Sequence, residues 1–151
     1  MREMLFRGKE IGSNRWMQGS LNIHKSGAVI IMSDEIVSSV YSRVDPDTVG
    51  QYTGLTDKNG KKIFEGDIIA FPDTGEVGYE YKEGYDFTNV ATVCWDNGRW
   101  ELCDFGDENS GVKDDMDDWH GDFIGIFPLS EVIGNIHDNP ELLKGGATDG
   151  R

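Results

Sequence analysis

The chain has few of the residues that usually carry chemistry, cross-link a fold or anchor a protein in a membrane. Its 151 residues include two Cys, three His and four Pro. No apolar stretch approaches the length that crosses a bilayer, and residues 1–7 lack the long apolar run of a signal peptide. These absences predict a cytoplasmic protein without a disulfide framework, whose two thiols stay reduced.

Positive charge is also scarce. The chain has 14 Lys and Arg against 28 Asp and Glu, which leaves a formal net charge of −14. Such a charge repels phosphates and disfavours ordinary duplex binding. Three interpretations stay open: acidity that keeps the protein soluble, a basic protein partner, and mimicry of nucleic acid.

The usual motifs of enzymes are missing. The sequence contains no phosphate-binding glycine loop, no Gly-x-Ser-x-Gly elbow and no zinc-ligand spacing. The histidines, His24, His120 and His137, are isolated, and no motif orients either Cys94 or Cys103 as a nucleophile. We therefore assign no catalytic residue, no metal ligand and no cofactor, and we expect a protein that is not an enzyme.

Short strands dominate the pattern of apolar residues. Strands are predicted at residues 3–7, 16–23, 28–32 and 131–136. The apolar run 28–32 is rich in β-branched residues, so we expect it to be buried on both faces. Asp45-Pro46 predicts a turn or one helical turn, and Asn139-Pro140 predicts the start of a short helix, each with the first residue as cap and the proline at the first position.

Two Asn-Gly pairs predict hairpins. Asn59-Gly60 favours a type I′ turn, in which both central residues have positive φ. A two-residue loop at Asn97-Gly98 predicts these opposed pairs: Asp96 with Arg99, Trp95 with Trp100, and Val93 with Leu102. Cys94 and Cys103 then lie diagonally, roughly 7–8 Å apart, which is too far for a disulfide.

Two segments stand out as candidates for function. Residues 104–122 contain eight Asp or Glu and one Lys, which predicts an exposed acidic loop. With His120 this loop could hold Mg²⁺ or Ca²⁺, although it lacks the EF-hand spacing. The second segment is aromatic and is interpreted either as a protein-contact loop or as a half-buried hairpin; its rings are Tyr79, Tyr81, Tyr85 and Phe87.

Three blocks of sequence resemble the YopX family of phage and prophage proteins. The central block runs from Gln51-Tyr52-Thr53-Gly54-Leu55 through Asp57-Lys58-Asn59-Gly60 to Glu65-Gly66-Asp67-Ile68-Ile69. Leu5-Phe6-Arg7-Gly8-Lys9 with Trp16 resembles the family's opening, and Val132-Ile133-Gly134-Asn135 through Leu143 resembles its close. The resemblance implies a mostly-β phage or prophage protein in the bacterial cytoplasm. It implies no activity and no catalytic residue.

Together these observations predict a mostly-β fold of short antiparallel strands with one short C-terminal helix. We expect a single domain over residues 1–145, with an N-terminal β part at about 1–50, a small SH3-like barrel at about 51–143 and a flexible tail at 145–151. The leading hypothesis is an accessory protein that acts by protein–protein contact, with an unknown host or phage partner. The alternatives are a metal-assisted enzyme that uses residues 104–122 and an acidic mimic of nucleic acid. Exposed strand edges also predict a homo-oligomer.

Overall fold

The computed structural model describes residues 4–33, 41–72, 88–96, 98–103 and 127–143. Its contacts divide the chain into two compact units, Met1–Gly54 and Leu55–Arg151. Within the described ranges the chain forms ten strands in two antiparallel sheets, which confirms the mostly-β prediction. The C-terminal helix is a short 3₁₀ turn, Pro140–Leu143.

The first sheet has six strands in the order β4-β3-β2-β1-β5-β6. Their bounds are Phe6–Lys9 (β1), Trp16–Ile23 (β2), Val29–Ser33 (β3), Tyr41–Arg43 (β4), Gly50–Thr56 (β5) and Lys62–Phe64 (β6). A 3₁₀ turn, Pro46–Thr48, precedes β5, and the Asp45 carboxylate accepts a hydrogen bond from the Asp47 N–H, as the predicted cap requires. The core of the first unit is a small cluster of Met17, Ile31 and Val44.

The second sheet has four strands in the order β10-β7-β8-β9. Their bounds are Asp67–Pro72 (β7), Thr88–Asp96 (β8), Arg99–Cys103 (β9) and Glu131–Asn135 (β10). This part of the chain has the larger core, with seven buried residues: Ile63, Ile69, Phe71, Ala91, Val93, Leu102 and Phe127. The SH3-like barrel stays a prediction, because the described strands β7 to β10 form an open sheet.

Strand β1 lies further along the chain than predicted. The predicted strand ends at Arg7, yet Gly8 and Lys9 pair with Met17 and Trp16 of β2. A Cβ atom on Gly8 would lie 3.1 Å from the side chain of Val44. Gly8 is therefore a strand glycine that allows close approach of a neighbour, and not a signal for a turn.

The expectation that residues 28–32 are buried on both faces is wrong. In β3 only Ile31 is fully buried, while Ile30 and Met32 are partly exposed. Ile31 faces the core cluster, and Ile30 pairs with Asn22 and Arg43 on the other face. Within the described chain this second face of β3 is therefore only half-buried, although the sequence of β3 is apolar throughout.

The type I′ turn expected at Asn59-Gly60 is also wrong. Gly60 has a φ of +80°, but Asn59 does not adopt positive φ. The Gly60 N–H donates to the Asp57 carbonyl at 3.0 Å, and the Asp57 N–H donates to the Lys61 carbonyl at 2.8 Å. The loop therefore has three residues, with a left-handed glycine at its end. The Asp57 side chain selects this loop by accepting the Asn59 N–H.

The register predicted for the second hairpin is confirmed. Trp95 pairs with Trp100, Val93 with Leu102 and Asp96 with Arg99. Both cysteines are free thiols, as their diagonal placement on β8 and β9 predicts. Asn97 lies outside the described residues, so its turn type stays a prediction.

The C-terminal block is held by local hydrogen bonds. Asn135 Oδ1 accepts the backbone N–H groups of His137 and Asp138 at 3.0 and 2.9 Å. Asn139 Oδ1 accepts the Asn135 N–H at 3.3 Å. A Cβ atom on Gly134 would lie 2.6 Å from Asn139 Oδ1, so this glycine leaves space for the Asn139 side chain.

Replacement of Gly134 by Ala is expected to lower the free energy of unfolding by about 1–3 kcal/mol, because the added methyl overlaps with Asn139. The measurement is urea unfolding of the variant and of Asn139→Ala. The double variant should lose less than the sum of the two single losses, since removal of the Asn139 side chain makes room for the methyl. If the loss in the double variant equals the sum of the two single losses, the methyl is accommodated by movement of residues other than Asn139.

Candidate protein-contact site

The Asp57 carboxylate holds the central sequence block together. Its Oδ1 accepts the N–H groups of Asn59 and Lys61 at 2.8 and 2.9 Å, and its Oδ2 accepts the Val132 N–H at 2.9 Å. The Lys58 N–H also donates to the Ser130 carbonyl at 2.9 Å. One buried carboxylate thus joins the hairpin loop to the start of β10, 75 residues later in the chain.

These contacts leave Asp57 ionised. Burial alone would raise the pKa of the carboxyl group, but the three backbone N–H donors, with the charge of Lys61, hold the pKa below its ordinary value. A general acid or base at neutral pH needs a pKa near the working pH. Asp57 is therefore a structural anion and not a catalytic one.

The Gly66-Asp67 pair also has a structural role. Gly66 has a φ of +92°, its N–H donates to the Val93 carbonyl, and its carbonyl accepts the Ile136 N–H. The buried Asp67 carboxylate accepts the Phe64 N–H at 2.7 Å. The most distinctive block of the sequence therefore builds the corner where β6 ends and β7 begins.

Some of the other candidate residues from the sequence lie within the described part of the chain, and some lie outside it. Among the described ones, His24 lies in the exposed turn before β3, where its Nδ1 is 2.9 Å from Ser26 Oγ. The two cysteines are half-buried on β8 and β9, where Cys94 faces Glu101 and Cys103 faces Thr92. The acidic segment 104–122 with His120, and the aromatic segment 79–87, lie outside the described residues.

The described part of the chain contains no group of three or more His, Cys, Asp or Glu side chains that could hold a metal ion. None of the helices in the same part has the length and apolar character that crossing a membrane requires.

An exposed tryptophan pair lies near the turn of the β8–β9 hairpin. The rings of Trp95 and Trp100 are 4.8 Å apart and meet edge to face at 72°. Trp100 packs against the core of the second sheet, whereas half of the Trp95 surface is exposed. The cross-strand pair Trp95–Trp100 thus lies next to the buried pair Val93–Leu102 on the same face of the hairpin and reaches the solvent at Trp95. Sequence reasoning placed both rings on the apolar face but had no signal for the exposure of Trp95.

The net negative charge comes from one of the two units. Residues 1–54 contain six Lys or Arg and six Asp or Glu, whereas residues 55–151 contain eight and 22. The first unit is therefore neutral, and the second carries the whole formal charge of −14. The tryptophan pair belongs to this acidic unit.

Comparison with known proteins identifies relatives of the chain. The family model described as YopX protein matches residues 5–144. A crystal structure of protein EF1440 from Enterococcus faecalis is similar, with 24% sequence identity over 95% of this chain and 99% of that chain, and a TM-score of 0.49. No protein with a curated description matches.

Proposed function

Because the chain belongs to the YopX family, we propose that it is a phage- or prophage-encoded accessory protein that binds another protein in the bacterial cytoplasm. The half-exposed ring of Trp95, fixed against the core-packed Trp100, carries this proposal. Tryptophan is enriched among the residues that dominate binding energy at protein interfaces. A ring held rigid by its neighbour also loses little side-chain entropy when a partner covers it.

The surroundings of the pair indicate the chemistry of the partner. The unit that bears Trp95 has 22 acidic and eight basic residues, so its field attracts a basic surface. The same unit has further exposed apolar side chains at Leu129, Ile133 and Ile136. We propose a partner with an apolar pocket surrounded by Lys and Arg.

Replacement of Trp95 by Ala is expected to weaken binding at least about tenfold, which corresponds to about 1.4 kcal/mol. The full chain, Trp95→Ala and the control Ile23→Ala are used to capture proteins from bacterial lysate, and captured proteins are quantified. Ile23 is 68% exposed and lies in the first unit, so it controls for loss of any exposed apolar side chain. The partner that depends on Trp95 is then titrated by calorimetry.

Thermal unfolding of both variants checks the fold, since the ring pair contributes only about 0.5–1.5 kcal/mol beyond its buried area. Capture of the same proteins in the same amounts by Trp95→Ala would refute the assignment of the contact to this site.

Mimicry of nucleic acid is a second candidate, favoured by the confinement of the net charge to the second unit. It predicts that the captured partner binds DNA and that a duplex displaces it from this protein. It also predicts a steep loss of capture as salt rises. A partner that binds the chain and duplex DNA at the same time would exclude mimicry.

Self-association is also proposed. In the described chain, β9 and β10 are the edge strands of the second sheet, and an edge strand presents unpaired backbone groups to another chain.

A further inference from the structure

The Asn59-Gly60 pair lies in the hairpin loop between β5, which ends at Thr56, and β6, which begins at Lys62. Both residues are exposed, and a Cβ atom on Gly60 would meet nothing within 4 Å beyond its chain neighbours. An asparagine followed by glycine is prone to cyclise, because no side chain keeps the next backbone nitrogen away from the asparagine amide. The pair therefore has both reacting groups of a self-modification, with open space around them.

The reaction joins the Gly60 backbone nitrogen to the Asn59 side chain. The nitrogen loses its proton to solvent hydroxide and attacks Asn59 Cγ. The N–Cγ bond forms as the Cγ–Nδ2 bond breaks, and Nδ2 takes a proton from water and leaves as ammonia. Water then opens the cyclic imide at either of its carbonyl groups, which leaves aspartate or isoaspartate at position 59. The overall change consumes water and releases ammonia.

The folded loop holds the reacting nitrogen away from this chemistry. The Gly60 N–H donates to the Asp57 carbonyl at 3.0 Å, so the proton that must leave is bonded. The N–H groups of Asn59 and Lys61 donate to Asp57 Oδ1 at 2.8 and 2.9 Å, which fixes the backbone on both sides of the pair. Attack on Cγ requires the Gly60 N–H to leave its acceptor and its peptide group to rotate. The loop must therefore open before the reaction begins.

Opening the loop also breaks its connection to β10. Asp57 Oδ2 accepts the Val132 N–H at 2.9 Å, and the same carboxylate is buried. We call the bonds from Asp57 to Asn59, Gly60, Lys61 and Val132 the Asp57 clamp. We propose that Asn59 is a self-deamidation site gated by the Asp57 clamp, unreactive while the clamp is closed and reactive when the loop opens locally. Local opening of this kind costs less free energy than unfolding the whole chain.

The product cannot restore the same clamp. Aspartate at position 59 places a second negative charge close to the Asp57 carboxylate, and like charges at short range repel. Isoaspartate also lengthens the main chain within the loop, so the N–H groups at positions 59 and 61 no longer reach one oxygen together. A chain that has opened and reacted is therefore expected to stay altered at the connection between this loop and β10.

The test compares the full chain, Asp57→Asn and a synthetic peptide of residues 56–64 at the same mildly alkaline pH. Cleavage after Leu55 and Phe64 releases that peptide from both proteins and separates it from the second pair, Asn97-Gly98. Mass spectrometry then measures the fraction deamidated at Asn59. The full chain should react most slowly and the peptide fastest. Asp57→Asn should react at least about tenfold faster than the full chain, because its amide makes weaker hydrogen bonds than a carboxylate does.

Two control variants accompany this comparison. Asp47→Ala removes an exposed aspartate of the first unit, so its rate at Asn59 should equal that of the unmodified chain. Asn59→Gln should give almost no product at position 59, since the longer side chain must close a larger and less favourable ring. Thermal unfolding establishes that each variant is folded during the incubation.

The unmodified chain provides a second measurement, which does not depend on the folding of Asp57→Asn. Loop opening exposes little surface, so the rate at Asn59 should change only weakly with urea below the unfolding transition. A rate that rises with the full slope of global unfolding would overturn local gating. Equal rates for the full chain and the peptide would show that the fold gives no protection. Equal rates for the full chain and a folded Asp57→Asn would show that Asp57 is not the gate.

Discussion

Replacement of Asp57 by Ala is expected to lower the free energy of unfolding by about 3 kcal/mol or more, because three backbone N–H groups lose a charged acceptor. The donors, on Asn59, Lys61 and Val132, lie 2.8–2.9 Å from the carboxylate, which is buried. The measurement is urea unfolding of both proteins at neutral pH.

Asp47→Ala is the matched control for this variant. Asp47 is an exposed aspartate in the first unit, and only its backbone N–H takes part in the cap with Asp45. Its replacement should change stability by less than about 0.5 kcal/mol. The loss of stability for Asp57→Asn should lie between the losses for Asp57→Ala and Asp47→Ala, since the amide keeps one acceptor oxygen but no charge. A loss below about 1 kcal/mol for Asp57→Ala would show that the three N–H groups find other acceptors.

The contribution of Asp57 should also depend on pH. The pKa of its carboxyl group is lower in the folded chain than in the unfolded chain, where an aspartate has its ordinary value. The stabilisation is therefore complete at pH values above the unfolded value and disappears as the pH falls through the folded value. The difference in stability between the unmodified chain and Asp57→Asn should shrink on acidification over this range. A difference that stays constant would contradict the lowered pKa.

Replacement of Ile31 by Ala is expected to cost about 2–5 kcal/mol, the usual loss for a fully buried aliphatic side chain. Ile31 has no exposed surface and lies in the small core of the first unit with Met17 and Val44. Ile30→Ala removes the same atoms from the adjacent residue on the other face, so its loss should be well under half as large. Thermal and urea unfolding of the two variants give the comparison. Equal losses would show that both faces of β3 are covered.

Local chemistry explains why much of the fold could be predicted. Strand β2 was predicted with the bounds it has, because apolar alternation and turn residues define both of its ends. The Trp95–Trp100 register followed from one Asn-Gly pair, since a two-residue loop determines every pair behind it. Asp45 caps its turn as expected, because an aspartate before Pro-x-Thr satisfies an N–H two residues later.

The predictions of local structure were wrong where a residue far away in the chain determines that structure. Asn59-Gly60 favours a two-residue turn by itself, but the Asp57 side chain imposes a three-residue loop and is in turn held by Val132. The apolar sequence of β3 would suit a strand buried on both faces, yet only Ile31 is fully buried, and Ile30 and Met32 on the other face are half-buried. The first strand was predicted to end at Arg7, but it includes Gly8, where the absence of a side chain leaves room for Val44.

The candidate sites show the same difference between what local sequence determines and what distant contacts determine. The sequence by itself determined the family, the strand content, the reduced thiols and the excess of acid, because each depends on residue identity or on neighbours along the chain. Only the tertiary structure decided that the signature block is a scaffold centred on Asp57 and that Trp95 is exposed. Those properties depend on strand pairing and on which surfaces are covered, and both bring together residues that are far apart in the chain.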